Sequence, residues 1–294
     1  MVGFLLPCLI VFLQKKIASN ILTSDISKLI PSEVSPSALL SPQGRVLHDI
    51  LISLDFQNSS KEKSILIEYD FFCENDLIKK LNMYNLRKEV KVKKTSYNVM
   101  VTINPKSSEN LLKDKRFFNS NIHVSRIYNK NKSINDNNRS IVSNWYDLIR
   151  YKNCIPEGVK EIEMNATLPL EINLDLLGGI SFEKGCFIGQ EVNARVKYKG
   201  LVKRKYVPVH FKNKNFSFSN LDKIDNKILL KTQNIGEVIA LSLDKEDDIW
   251  YGIAKIKLSQ LYLFEEDFRL DCDFCGSKVK INFPKYMLPL PRKI

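Results

Sequence analysis

One ten-residue segment, Phe182-Glu183-Lys184-Gly185-Cys186-Phe187-Ile188-Gly189-Gln190-Glu191, constrains this chain more than any other. Two glycines bracket a thiol and an apolar pair, and a helical pattern follows over residues 187–198. Glycine at such a place permits close backbone approach or a positive φ, and the segment reads as the glycine-rich opening of a helix. A thiol near a helix N-terminus feels the positive end of the dipole, and Lys184 adds a cation close by. Both favour thiolate. A thiolate serves as nucleophile, redox group or soft metal ligand. The same residues also describe a buried cysteine acting as a small hydrophobe, and local chemistry leaves both readings open.

The 294 residues suffice for one large domain or two to three small ones. A 44% apolar share is that of a globular chain. The excess of 45 Lys and Arg over 33 Asp and Glu gives a formal net charge of +12, which attracts polyanions but is also what a lysine-rich solvated surface looks like. Six cysteines in a chain this long do not suggest a disulfide scaffold. Cys272 and Cys275 form a lone C-x-x-C. A structural zinc site needs four ligands, and His48, His123 and His210 are scattered, so no metal site is expected. No phosphate-binding loop, dinucleotide fingerprint or H-E-x-x-H is present. Residues 1–14 are uncharged and read as a strand or helix start belonging to the core. The run is shorter than the roughly 20 residues of a membrane span and lacks the basic start of a secretory signal.

Periodicity predicts an amphipathic helix over 8–30, with apolar spacing at Ile10, Leu13, Ile17 and Ile21. A hairpin is expected over 38–53, turning at Ser41-Pro42-Gln43-Gly44, and a second strand over 65–69. Residues 76–86 read as a helix, 89–103 as one or two strands, 128–140 as an exposed polar loop and 141–151 as a helix. Residues 165–177 read as extended. Beyond Val202 the chain turns into short β-rich runs, at 206–211, 227–230, 237–242, 251–257 and 279–283, the pattern of a small barrel or sandwich.

Lys-Gly-Cys-Phe-Ile-Gly-Gln-Glu, residues 184–191, closely resembles the K-G-C-[FY]-x-G-Q-E signature of the YgfZ-type folate-binding family, which is related to the glycine cleavage T protein. The resemblance extends to Arg150-Tyr151-Lys152-Asn153-Cys154-Ile155-Pro156, where Cys154 stands at a usual glycine, and to Pro169-Leu170-Glu171. It continues through Ala194-Arg195 and Tyr198-Lys199-Gly200. Phe12-Leu13-Gln14 and the Pro42-Gln43-Gly44-Arg45 hairpin with its following Asp49 are similar as well. It is dense over 145–205 and thin elsewhere.

The resemblance implies an α+β fold: a glycine-cleavage-T-protein-like folate-binding core of interleaved subdomains over 1–200, closed by a C-terminal β-barrel over 201–294. It implies an accessory factor that binds tetrahydrofolate and supports assembly or repair of 4Fe–4S clusters, with radical-SAM enzymes among its clients. Cys186 is then the functional thiol, with Lys184 as its partner cation and any cluster contact transient. Gly185, Gly189, Gln190, Glu191 and Arg195 are expected to frame the folate site. Asp49 and Glu171 would accept from pterin N–H groups, and Arg150 would meet a glutamyl carboxylate. Gln190 and Glu191 equally suit a helix N-terminus. The partners expected are folate and iron–sulfur assembly or client proteins, not membrane or nucleic acid. The compartment expected is bacterial cytoplasm or, in a eukaryote, the mitochondrial matrix. Two other readings stand beside this: an aminomethyltransferase of glycine cleavage, whose members lack the K-G-C cysteine, and a basic RNA-binding module built on 198–206.

Overall fold

A computed structural model describes residues 3–6, 8–55, 64–84, 92–95, 97–105, 111–129, 139–200, 202–214, 216, 225–268 and 270–292, with backbone alone at 3–17 and 139–143. Most of the polar stretch expected as a loop over 128–140 lies outside them. Contacts divide the chain into two compact units. The first comprises Met1–Val142, Glu157–Pro169 and Leu174–Ala194, and the second Ser143–Pro156, Leu170–Asn173 and Arg195–Ile294.

The first unit opens with strands β1 (Gly3–Leu6) and β2 (Cys8–Gln14) and helix α1 (Lys15–Ile21). Then come β3 (Glu33–Leu40), β4 (Val46–Leu54), β5 (Ser64–Asp70), α2 (Glu74–Tyr84), β6 (Lys93–Lys94), β7 (Asn98–Ile103), β8 (Leu112–Asp114) and β9 (Val124–Asn129). They form one mixed sheet in the order β1-β7-β9-β8-β3-β4-β5-β2-β6. Its described pairings are antiparallel except β3 with β8.

The helix expected over 8–30 is therefore a strand followed by a shorter helix. An unbroken apolar run satisfies a helical template and a buried strand alike. Here β2 is flanked by β5 on one side and β6 on the other, and sheet pairing decides. The predicted hairpin is present. Ser41 N–H donates to Arg45 O at 2.8 Å, Gly44 N–H donates to Ser41 O at 2.8 Å, and Gly44 sits at φ +75°. The register slips between Leu39 and Leu40, the bulge that such a glycine-ended turn produces.

Alternation sorts the two faces of β4 and β5. Ile50, Ile52, Ile65, Ile67 and Tyr69 point to one face, covered by Ala18, Ile21 and Leu22 around α1 and by Leu77 and Leu81 of α2. The i, i+3, i+4 spacing of the first three and the i, i+4 spacing of the last two are those of helices buried along one stripe. His48, on the same face and 3% exposed, binds Asp76 Oδ2 of α2 through Nε2 at 2.7 Å. On the opposite face Leu66 packs with Tyr97, Val99 and Tyr128, and Leu51 with Leu112 and Val34. The sheet thus curls until its first half covers the second.

The second unit contains most of α3 (Arg139–Lys152), the end of α4 (Gln190–Tyr198), and strands β10 (Arg204–Phe211), β11 (Lys227–Leu230), β12 (Gln233–Asp244), β13 (Ile249–Lys257), β14 (Cys272–Phe274) and β15 (Ser277–Ile281), with α5 (Leu258–Glu266) after β13. The strands close a six-stranded barrel, β10-β13-β12-β11-β14-β15. Phe211, paired with Trp250 across β10 and β13, fills the barrel with Phe216 and Phe274. The expected β-rich runs fall in strands, the last ending at Ile281 rather than at 283; β14 and α5 had no sequence signal strong enough to be named. Residues 165–177 are turns rather than an extended segment, because Asn165 (φ +58°) and Asn173 (φ +61°) take left-handed conformations that no strand contains.

Candidate functional site

The thiol segment precedes α4 and is fastened by its backbone. Ser181 N–H donates to Thr23 O at 2.9 Å, Thr23 Oγ1 donates to Gly179 O at 2.6 Å and Ile188 N–H donates to Asn20 O at 3.3 Å. The Lys184 ammonium donates to Ser19 O at 2.8 Å and to Leu22 O, and lies 4.8 Å from the Phe187 ring centroid. Burial brings the Lys184 ammonium down to about 8, against a weaker opposing pull from Asp25. Gly185 and Cys186 are exposed at the apex, while Phe187 is buried beneath them.

The other end of the segment rests on the β3–β4 turn. Gly189 sits at φ +77°, and a Cβ there would lie 2.6 Å from Ser41 O and 2.8 Å from the Gly44 Cα. Two glycine backbones therefore meet where no side chain fits, which is why the Pro42-Gln43-Gly44-Arg45 turn and the thiol segment both carry one. Asn193, fully buried in α4, locks the contact: its Nδ2 donates to Gly44 O at 2.9 Å and Gly189 O at 3.0 Å. Gln190 Oε1 accepts from Phe187 N–H at 3.2 Å while Gln190 N–H donates to Phe187 O, a reciprocal arrangement that satisfies the helix start. Glu191 and Arg195 are exposed on the same helix.

Asp49 anchors a second cluster, on the sheet face away from the helices. It is half-buried and accepts from Gly158 N–H at 2.9 Å. Desolvation first, and the neighbouring Glu157 carboxylate, push its carboxyl up to about 6, against the Gly158 N–H and the Arg116 guanidinium. The same face carries Glu68, pushed up to about 7 by burial despite Arg126 beside it. Arg126, fully buried, lies 3.2 Å from Glu68, 3.6 Å from Asp114 and 3.5 Å from Glu157. Arg116 binds Asp114 at 2.8 Å and Glu157 at 2.7 Å, and Tyr128 donates to Glu68 at 2.9 Å. Arg116, Arg126, Glu68, Asp114 and Glu157 escaped the sequence reading because each, taken alone, looks like ordinary surface charge.

Two expected ligand residues lie in the second unit and have intramolecular partners there. Arg150 donates to Ile155 O at 3.1 Å and Asp147 Oδ1 at 2.6 Å, with its guanidinium 5.2 Å from the Tyr146 ring centroid. It braces the turn at Cys154, whose φ of +51° explains the glycine that the resembling motif has there. Glu171 is buried, 3.8 Å from Arg204, and its carbonyl accepts from Tyr206 N–H at 2.8 Å.

Among the described residues no cluster of three or more His, Cys, Asp or Glu is arranged to hold a metal ion, and no helix is long and apolar enough to cross a membrane.

No family model matches the chain. In sequence it is similar to the mitochondrial iron–sulfur cluster assembly factor IBA57 of Homo sapiens, 29% identical over 194 residues, 58% of this chain and 52% of that protein. It is similar to the IBA57 homolog of Neurospora crassa, 29% identical over 215 residues, 66% of this chain and 48% of that protein. A shorter stretch of 67 residues, 23% of this chain and 16% of the relative, is 48% identical to the homolog of Phaeosphaeria nodorum. The chain spans about half the length, or less, of these curated relatives. In structure it matches the glycine cleavage system aminomethyltransferase T from Bartonella henselae with a TM-score of 0.67 at 11% identity, over 97% of this chain and 85% of that one. The chain thus has the α+β glycine-cleavage-T-protein-like fold, a mixed sheet with a closed six-stranded β-barrel, and sequence similarity to mitochondrial iron–sulfur cluster assembly factors.

Proposed function

We propose that this protein is a folate-binding accessory factor for the assembly or repair of 4Fe–4S clusters, working in mitochondria, where its named relatives are placed. The observation that carries the reading is Cys186, exposed at the apex of a segment whose two flanks are held by backbone hydrogen bonds and a glycine–glycine contact. A thiol held in this way suits a soft iron centre. One thiol supplies only one ligand, so we take any contact with a cluster to be transient.

Asp49 would accept hydrogen bonds from bound tetrahydrofolate. A carboxylate accepts up to about four hydrogen bonds; Gly158 N–H uses one at Asp49, and the pterin amino and ring N–H groups are donors that suit the remainder. The bound folate would supply one-carbon chemistry. The net charge of +12 favours its polyglutamyl tail.

A complementation assay tests the reading. Cells lacking their own factor of this type receive the chain or its Cys186→Ala variant, and the activity of a radical-SAM 4Fe–4S enzyme is measured. Rescue by the first and not the second is the expected result. Failure of both, at matched expression, overturns the proposal. The alternative, an aminomethyltransferase, is favoured by the fold alone and predicts glycine-cleavage activity that survives Cys186→Ala.

A further inference from the structure

Helix α1 ends at Ile21, and the carbonyls of its last turn have no helical partner of their own. Two of them, and the carbonyl just past the helix, are taken by the thiol segment: Ser19 O and Leu22 O by the Lys184 ammonium, and Asn20 O by Ile188 N–H. A helix C-terminus carries partial negative charge, so a cation there is stabilised by the dipole as well as by its hydrogen bonds. The Phe187 ring lies against the same ammonium at 4.8 Å, the geometry of a cation–π contact. Lys184 and Phe187 thus face the same anchor from both sides of Gly185-Cys186. These two residues are exposed, and a Cβ at Gly185 would meet nothing within 4 Å.

We propose that Lys184 is a positioning residue: it caps the C-terminal end of α1 and thereby fixes the place at which Cys186 is presented, rather than tuning the charge of the thiol. The inference rests on the reading of Cys186 as the functional group, and it replaces the sequence expectation of Lys184 as the cation that holds a thiolate.

Three readings on the full chain test this, with Lys184→Met (similar length, no donor) and Lys184→Arg (donors kept). In Lys184→Met, amide hydrogen exchange over 19–23 and 181–188 should accelerate about tenfold or more, the loss expected for charge-assisted hydrogen bonds. The pH midpoint of Cys186 alkylation by iodoacetamide should stay within about 0.3 units of the wild type, whereas loss of a thiolate-stabilising cation would raise it by about one unit. Rescue in the complementation assay should fall about tenfold with Lys184→Met and recover with Lys184→Arg. An upward shift of the alkylation midpoint by about one unit, or exchange rates unchanged in Lys184→Met, overturns the proposal. If wild type and Cys186→Ala behave alike in the rescue assay, the functional reading fails, while the exchange and alkylation arms still decide whether Lys184 clamps the segment. Should Lys184→Met not fold, Lys184→Gln, which retains one donor group, gives the same readings with a smaller exchange effect.

Discussion

The thiol segment and the Asp49 face lie in the same unit and are built on opposite principles. The thiol segment is eight contiguous residues held largely through backbone groups: carbonyls of 19–22 on one side and the Ser41–Gly44 turn on the other, with its thiol exposed. The Asp49 face is six ionisable residues from five separate stretches of chain, held by side chains, with its central guanidinium fully buried. A site made of backbone tolerates exposure because its shape is set by where glycine is allowed. A site made of buried charge depends on every partner, because each carboxylate left alone in a dry interior is expensive. The contrast predicts where each site will break.

The largest effect falls on the charged face. Arg126→Met keeps the aliphatic length but leaves Glu68, Asp114 and Glu157 without the guanidinium that all three share. We expect a loss of about 3–5 kcal/mol in urea unfolding; a loss under about 1 kcal/mol, the size of a surface pair, would show that the network is not a single unit. The same face should control the pH dependence. Asp49 and Glu68 have their pKa values raised, from 3.8 and 4.5 to about 6 and about 7, mainly by desolvation. A raised carboxyl makes the folded state the stronger proton binder. Its stabilising contribution is therefore complete below about pH 4 and lost as pH rises through about 6 and 7. Asp25 and Asp76, both lowered, act in the opposite sense below that window, and His48 and His210, both lowered mainly by burial, oppose the decline within it. Urea midpoints should decline between about pH 5 and 7.5, and Asp49→Asn should flatten the part of the decline near 6. A carboxyl carbon of Asp49 titrating near 3.8 by NMR would refute the assignment.

The two regions were also unequally visible in the sequence. The thiol segment was legible because its constraints are local: glycines, a cysteine and a helix start occupy neighbouring positions, and the Ser41–Gly44 hairpin carries a turn signature of its own. The barrel was legible for the same reason, in short runs of β-branched and aromatic residues. The charged face was not. Arg116, Arg126 and Glu157 acquire meaning only when β8, β9 and the residues after α3 are folded together, and nothing nearby in sequence marks any of them. Residues 8–14 misled in another way, because an apolar run without gaps has no period to read, and only pairing with β5 fixes it as a strand. Asn193 gave no signal either. An asparagine inside a helix reads as a mild cost, and its value lies in the two carbonyls, Gly44 and Gly189, that it holds together.

The smaller effects lie in the thiol segment and separate its two glycines. Gly189→Ala introduces a Cβ that would sit 2.6 Å from Ser41 O and 2.8 Å from the Gly44 Cα, at a φ of +77°. Both obstacles are backbone, so no side chain can move to relieve them, and we expect about 1–3 kcal/mol of destabilisation. The β3–β4 turn would have to part from the start of α4, and hydrogen exchange at Gly44 and Asn193 would report that opening. Gly185→Ala, four residues earlier in the same motif, meets no atom within 4 Å and should change stability by less than about 0.5 kcal/mol. If Gly185→Ala nevertheless abolishes rescue in the complementation assay while the protein remains folded, the first glycine is there for what approaches Cys186 from outside rather than for the fold. If rescue is untouched, the open space beside the thiol is not used, and the case for a bulky cargo at Cys186 weakens accordingly.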